Sequence, residues 1–419
     1  MRVAVRLCSA QLVLELCALG ILGTPQDIAK ISKGTPVCNS FNEHKVPGTL
    51  YTGNSSLGNV PILEYKISEL TSFDSSFELR TLDPEGIIFL GDIGSVTNWF
   101  LLAVQNRHLS VQTGHSKGKV VMSRGPLISD GKWKKVTVKK LQDGVSVFVN
   151  GEQRMTVEQS QESIDAEHGD GFLRIAIGAS IPNSNIPLTI HPPLDACMRD
   201  WEWVKQDSSV LLQDSQTQRC WDTIIPGSFF PGNGVVGFLP EALGNSSVQR
   251  STAGEEDQNW NLLVELTFLP VEDRGVLFAI VDPLRNVSFS VSMNQSTKDL
   301  VLHVRDQVFL STPTPSSLCT GESQFLQLWV SEDQVMLDLE GKMVIRKLDD
   351  QDFRFLKAIW GQTGTMVYLG GLPEDESPFH GCLQAKLQGV DVDLDLAEVK
   401  SGDVRSHSCP SALHVRDGK

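Results

Sequence analysis

The chain closes twice in the same way, and that repetition limits the folds open to it more than any other feature. LRIAIGA (Leu173–Ala179) leads to Leu194-Asp195-Ala196-Cys197 and then, after a polar segment, to Cys220. MVYLGGL (Met366–Leu372) leads to His380-Gly381-Cys382-Leu383 and then to Cys409. Upstream of each closure, short runs of alternating apolar and polar residues recur between turn residues, the period-two signature of half-buried strands. They include Trp99–Val104, Leu109–Thr113 and Trp133–Lys140 in the first half, and Leu262–Leu269, Gly275–Val281 and Phe325–Val330 in the second. Asn150-Gly151 after Val145–Val149 is a strong hairpin signal, and Glu340-Gly341 stands in its place in the second half. The reading is an internal duplication of an all-β domain, sandwich or jelly roll, with no convincing helical periodicity in the first copy. Cys197–Cys220 and Cys382–Cys409 are then equivalent staples, each removing roughly 3 kcal/mol of unfolded-state freedom.

The stretch Ser75–Asp92, SSFELRTLDPEGIIFLGD, is the most patterned part of the first copy. Phe77, Leu79 and Thr81 alternate with Glu78, Arg80 and Leu82; an Asp-Pro-Glu-Gly turn follows, then the apolar run Ile87–Leu90. This predicts a hairpin, with Asp83 holding a carboxylate at its rim. Two readings of Asp83 stay open from these residues alone: an Asp turn accepting backbone N–H bonds, or a calcium ligand.

Length and composition set the frame. A chain of 419 residues suggests two or three domains, and a net charge of −15 with no basic cluster gives no electrostatic reason to expect nucleic acid or an anionic membrane as partner. Residues 1–23 read as a secretory signal peptide: Arg2 and Arg6, an apolar run around Leu12–Leu22 broken by Glu15, then small residues before Thr24-Pro25. The run is too short for a membrane anchor, so a secreted, extracellular protein is expected. Residues 24–60 read as an extended leader, 61–222 and 223–410 as the two β domains, and 411–419 as a tail. Cys8 and Cys17 leave with the signal. Cys38 and Cys319 have no place in the repeat, and three fates are open: a bond tying the leader to the second domain, which is favoured, a link between chains, or free thiols. Asn54, Asn245, Asn286 and Asn294 each head a glycosylation sequon.

These features together carry a resemblance. Paired β domains each ending in an Ala-Cys or Gly-Cys strand, with DGKWKKVTV (Asp130–Val138) before VSVFVNGE (Val145–Glu152), resemble tandem laminin G-like domains, which are concanavalin-like jelly-roll sandwiches. FELRTLDPEGIIF (Phe77–Phe89), NWFLL (Asn98–Leu102), LRIAIG (Leu173–Gly178) and HSCP (His407–Pro410) are most similar to the sex hormone-binding globulin group, secreted steroid carriers. The vitamin K-dependent receptor ligands share the domain pair but precede it with a Glu-rich and EGF-like region, which this sequence lacks.

The resemblance implies reversible binding of an androgen or oestrogen between the two sheets of the first domain. It places the A-ring serine on Ser75, a pocket phenylalanine on Phe100, a strand valine on Val138, and Leu173 along the wall. At the D-ring end, where the group uses an Asp and an Asn, this sequence has Asn98 and His115; Lys140 replaces a methionine, its stem covering the ligand and its ammonium reaching solvent. The resemblance further implies a structural calcium held by the Asp83 side chain with the carbonyls of Glu85 and Pro193, and a homodimer through the first domain. The histidines of the group's zinc site fall on Ser116 and Asp170, so no zinc is expected. The competing function is a calcium-dependent adhesion or receptor-binding module with no interior ligand.

Two other patterns are weighed and set aside. Gly114-His115-Ser116-Lys117-Gly118 matches the nucleophile elbow of α/β-hydrolases, but strand-like residues follow it where a helix is required, and no enzyme is expected. Asp391, Asp393 and Asp395, at a period of two, read as one solvated strand face that resists pairing rather than as a metal cluster. Among the nine histidines no close metal-ligand pair is read except in the neighbourhood of His115 and Ser116, which the glycine turn explains.

Overall fold

The structure, a computed structural model, describes residues 40–413 apart from 54–59, 95–97, 115–119, 142–143, 159–170, 191–192, 209–210, 212–217, 244–259, 298, 306, 313–317, 319–321 and 374–377. Two β-sandwiches follow one another. In the first, one sheet runs Glu152–Glu158, Gly144–Val149, Lys134–Leu141, Ser75–Thr81, Ala196–Glu202, Thr49–Tyr51. The sheet facing it runs Ile62–Lys66, Phe172–Ile177, Gly86–Asp92, Trp99–Gln105, His108–Gly114, Val120–Leu127.

The second domain repeats this order strand for strand. Its first sheet runs Lys342–Lys347, Gln334–Leu339, Gln324–Val330, Leu262–Pro270, His380–Leu387, Ser228–Pro231. Its second runs Val235–Phe238, Met366–Leu369, Gly275–Val281, Val287–Asn294, Asp299–Val304, Gln307–Thr312, with Val399–Ser401 added at the edge. The duplication is therefore one of topology as well as of sequence. Alternation fills the cores: in Leu262–Pro270, Leu262, Val264, Leu266 and Phe268 are buried while Leu263, Glu265 and Thr267 lie on the other face. The hairpins at Asn150-Gly151 and Glu340-Gly341 form in both domains. Their φ values, 51° and 83° in one and 51° and 78° in the other, are the left-handed pair a two-residue turn requires. The disulfides Cys197–Cys220 and Cys382–Cys409 close the two copies.

Several expectations need correction. Ser75–Thr81 and Gly86–Asp92 do not form a hairpin: each pairs within a different sheet, so the Asp-Pro-Glu-Gly turn carries the chain across the sandwich. The leader is part of the fold, because Thr49–Tyr51 extends the first sheet and Ser40–Phe41 pairs with Ala412–Leu413 from the opposite end of the chain. An α-helix, Asp350–Trp360, caps the second core with Phe353, Leu356, Ile359 and Trp360; Asp349 starts it by accepting the Asp352 N–H at 2.7 Å. Cys38 and Cys319 lie outside the described residues. No helix among the described residues is long and apolar enough to cross a membrane.

A buried polar seam joins the domains. Asp195 Oδ2 accepts the N–H groups of His407 at 2.8 Å and Ser408 at 3.1 Å, and Ser408 Oγ donates to Asp195 Oδ1 at 2.8 Å. The Arg405 guanidinium lies over the rings of Tyr51 and Trp221, 3.9 and 4.0 Å from their centroids.

Candidate functional site: an interior slot and an interdomain acidic cluster

Between the sheets of the first domain is a cavity of about 150 Å³. Ser75, Asn98, Phe100, Val138, Lys140 and Leu173 all line it, together with Phe73, Phe89, Gly91, Thr113 and Val204. His115 lies outside the described residues. Phe89 and Phe100 stack at 5.6 Å to form an apolar wall, and Lys140 places its ammonium 4.7 Å from the ring of Phe73 at the mouth. Ser75 Oγ accepts the Val204 N–H at 3.1 Å, which leaves its hydroxyl proton to donate into the space. Val204 and Lys205 have φ of 46° and 55°, so the turn tip that meets Ser75 is held in a conformation costly for a β-branched residue.

The duplicated fold supplies an internal control for this cavity. Ser75 pairs with Val138, Gly91 with Phe100, and Phe100 with Thr113. The corresponding register pairs in the second domain are Val264 with Leu328, Ile280 with Phe289, and Phe289 with Val304. Ser75, Gly91, Thr113 and Val138 thus become Val264, Ile280, Val304 and Leu328, all buried in one continuous core. Small or hydroxylated residues hold the slot open in the first domain, and branched apolar side chains fill it in the second.

The turn at Asp83 forms a second candidate site, though not at a rim. Asp83 is 0 % exposed, its Oδ1 accepting the Glu85 N–H at 3.0 Å and its Oδ2 the Asp195 N–H at 2.8 Å. Pro193 lies alongside, bridged to Ile87. The second domain meets it there: His407 Nε2 is 3.4 Å from Asp83 Oδ1, 3.2 Å from Asp393 Oδ1 and 3.4 Å from Asp395 Oδ2. Asp83, Asp395 and His407 are the one group among the described residues able to converge three ligand atoms on a metal, all within 4.8 Å. The solvated-edge reading of the aspartates is therefore wrong. Asp391 is exposed at a strand end, Asp393 caps the short turn Leu394–Leu396, and Asp395 is buried against Lys400 at 3.0 Å. The histidine reading needs the same correction, since His407 is a close partner of three carboxylates.

The oxygen-rich donor set suits a hard cation, and Asp395 Oδ2, buried without a hydrogen bond, offers a lone pair for one. Without a metal, the His407 proton plays that part. Burial opposes the imidazolium, but Asp83, Asp393 and Asp395 outweigh burial and hold the His407 pKa well above its ordinary value. Burial likewise pushes Asp83 up, with His407 opposing. A group whose folded pKa is raised contributes fully below its unfolded value and loses that contribution as pH rises through the folded one. In chelator, the unfolding temperature is therefore expected to fall as pH rises above about 6.5, the unfolded value of histidine, and His407→Gln should flatten the profile. A wild-type profile already flat from pH 6 to 9 would contradict this account of the seam.

Of the sequons, Asn286 and Asn294 are exposed, Asn294 at a hairpin end; Asn54 and Asn245 lie outside the described residues, as do Ser116 and Asp170. The strands flanking Ser116, His108–Gly114 and Val120–Leu127, pair with each other antiparallel, which is not the strand-then-helix frame of a nucleophile elbow.

The laminin G domain profiles match residues 79–208 and 268–388. Vitamin K-dependent protein S of Oryctolagus cuniculus is 29% identical over 403 residues, covering 91% of this chain and 60% of that protein. Sex hormone-binding globulin of Rattus norvegicus is 29% identical over 360 residues, covering 84% of each. The chain thus spans about three fifths of the first relative's length and most of the second's. Among solved structures, domains LG4-5 of the mouse laminin alpha1 chain superpose with a TM-score of 0.67 at 19% identity, covering 91% of this chain and 98% of that one, a likeness of fold.

Proposed function

The chain belongs to the laminin G domain family, with two such domains in tandem, and from that premise we propose that it is a secreted carrier of androgens or oestrogens. It binds them reversibly between the sheets of its first domain and so buffers free hormone. The observation that carries this reading is the contrast between the two copies: one fold, one register, with the slot open in the first and filled in the second. The identity to sex hormone-binding globulin over 84% of the chain points the same way.

A steroid is a rigid apolar plate. Burying about 400 Å² of it at roughly 25 cal/mol per Å² gives on the order of 10 kcal/mol before association costs. The cavity of about 150 Å³ is smaller than the ~300 Å³ of common ligand sites, so uptake moves Phe73, which lies in the irregular segment before Ser75, and the Lys140 ammonium resting on it. Ser75 donates to the A-ring oxygen. Asp83, with the carbonyls of Glu85 and Pro193 and with Asp395 across the seam, would hold a calcium ion, whose charge would stand in for the His407 proton and steady the domain pair. Homodimerisation through the first domain completes the proposal.

Equilibrium binding of tritiated 5α-dihydrotestosterone and oestradiol to the full chain in calcium tests the carrier reading, and absence of uptake at micromolar steroid contradicts it. Ser75→Ala is expected to weaken binding by about 1–3 kcal/mol through loss of one buried hydrogen bond. Unchanged affinity would mean that the ligand's oxygen is not at Ser75. A second reading, a calcium-dependent receptor-binding module with an idle slot, is favoured by the equal identity to protein S and by the interdomain acidic cluster. Calcium-dependent capture by a cell-surface receptor without steroid uptake would select it.

A further inference from the structure

The slot contains a second hydroxyl that the protein itself does not use. Thr113 lies on the sheet facing Ser75, in the strand His108–Gly114, paired in register with Phe100. It is 2 % exposed and lines the cavity, and its Oγ1 has no hydrogen-bond partner. A buried hydroxyl left unpaired is destabilising, and the fold does not require one at this position. The register-equivalent residue of the second domain is Val304, nearly the same shape without the oxygen, buried in a filled core. The hydroxyl stands in the copy where the space beside it is open.

We propose that Thr113 is the second polar anchor of the slot, bonding an oxygen of the ligand remote from the one held by Ser75. The inference rests on the slot being the ligand site. It also defines the ligand class. The Val204 N–H occupies one lone pair of Ser75 Oγ, which keeps its proton and its other lone pair and so takes a carbonyl or a hydroxyl. Thr113 has donor and acceptor both unused, which suits a hydroxyl. The site is matched to an apolar plate with a carbonyl or hydroxyl at one end and a hydroxyl towards the other. Asn98, half-buried on the same wall, is the competing partner for that hydroxyl.

The test compares two ligands in the full chain: 5α-dihydrotestosterone, which carries both oxygens, and 5α-androstan-3-one, the same plate without the hydroxyl. The wild type is expected to prefer the first by about 10-fold, the discrimination one buried hydrogen bond supplies. Thr113→Val should bind the two alike while melting at the same temperature or higher, and Thr113→Ser should keep the preference. A preference that persists in Thr113→Val overturns the assignment and hands the hydroxyl to another partner. Failure of the wild type to bind either ligand overturns the slot reading, and this inference with it.

Discussion

Gly91→Ile is expected to abolish steroid uptake, by about 100-fold or more, without unfolding the first domain. A Cβ at Gly91 meets nothing closer than backbone oxygens of Arg174 and Phe100, at 3.9 and 4.0 Å, so the backbone accepts a side chain there. The register-equivalent Ile280 shows where that side chain goes: into the space between the sheets. Ligand and isoleucine compete for one volume, and close-packed interiors do not share. Replacing a strand glycine also removes about 0.5–1 kcal/mol of unfavourable backbone entropy, so the melting temperature should hold or rise. Binding that survives Gly91→Ile would place the ligand somewhere other than this slot.

The second large effect concerns the seam. Asp195→Ala removes the acceptor of two backbone N–H groups and of the Ser408 hydroxyl, all from the other domain, with Asp195 and Ser408 buried and the His407 bond partly so. Orphaning those donors is expected to cost about 3–5 kcal/mol. Calorimetry is expected to show one endotherm for the wild type and, for Asp195→Ala, an earlier separate transition for one domain. A change below about 1 kcal/mol would show that the domains are held by the apolar and cation–π contacts around Arg405 instead.

The parts of this molecule that could be read from its sequence are those whose determinants are local. Alternation in runs such as Leu109–Thr113 predicts the strand His108–Gly114, and Asn150-Gly151 fixes a hairpin because its φ values are set within the turn itself. The Asp-Pro-Glu-Gly turn at Asp83 misleads because four turn residues between two apolar runs look the same whether the next strand pairs with the last or crosses to the opposite sheet. That choice is made by partners far away in the chain, Lys134–Leu141 for one strand and Phe172–Ile177 for the other.

Asp395 was illegible for the same reason. Its spacing from Asp391 and Asp393 suggests one strand face, but a short turn at Leu394–Leu396 breaks the period and aims it at a different domain. The helix Asp350–Trp360 carries a signal, Asp349 as a cap and apolar residues at 353, 356, 359 and 360, but it is a single three-turn element set among strands on either side. Residues of the slot came from family resemblance, which identifies Ser75 and Phe100 but passes over Thr113. In sequence a threonine that ends an alternating run looks like ordinary strand filler; only the cavity beside it and the empty partner list distinguish it.

A crystal structure of the full chain grown with 5α-dihydrotestosterone tests the central claim most directly. The expected result is one flat ligand between the sheets of the first domain, its carbonyl oxygen about 2.7–2.8 Å from Ser75 Oγ, with Phe73 displaced and the second domain solid. A first-domain slot that stays empty at saturating steroid, or a ligand seated elsewhere on the molecule, contradicts it.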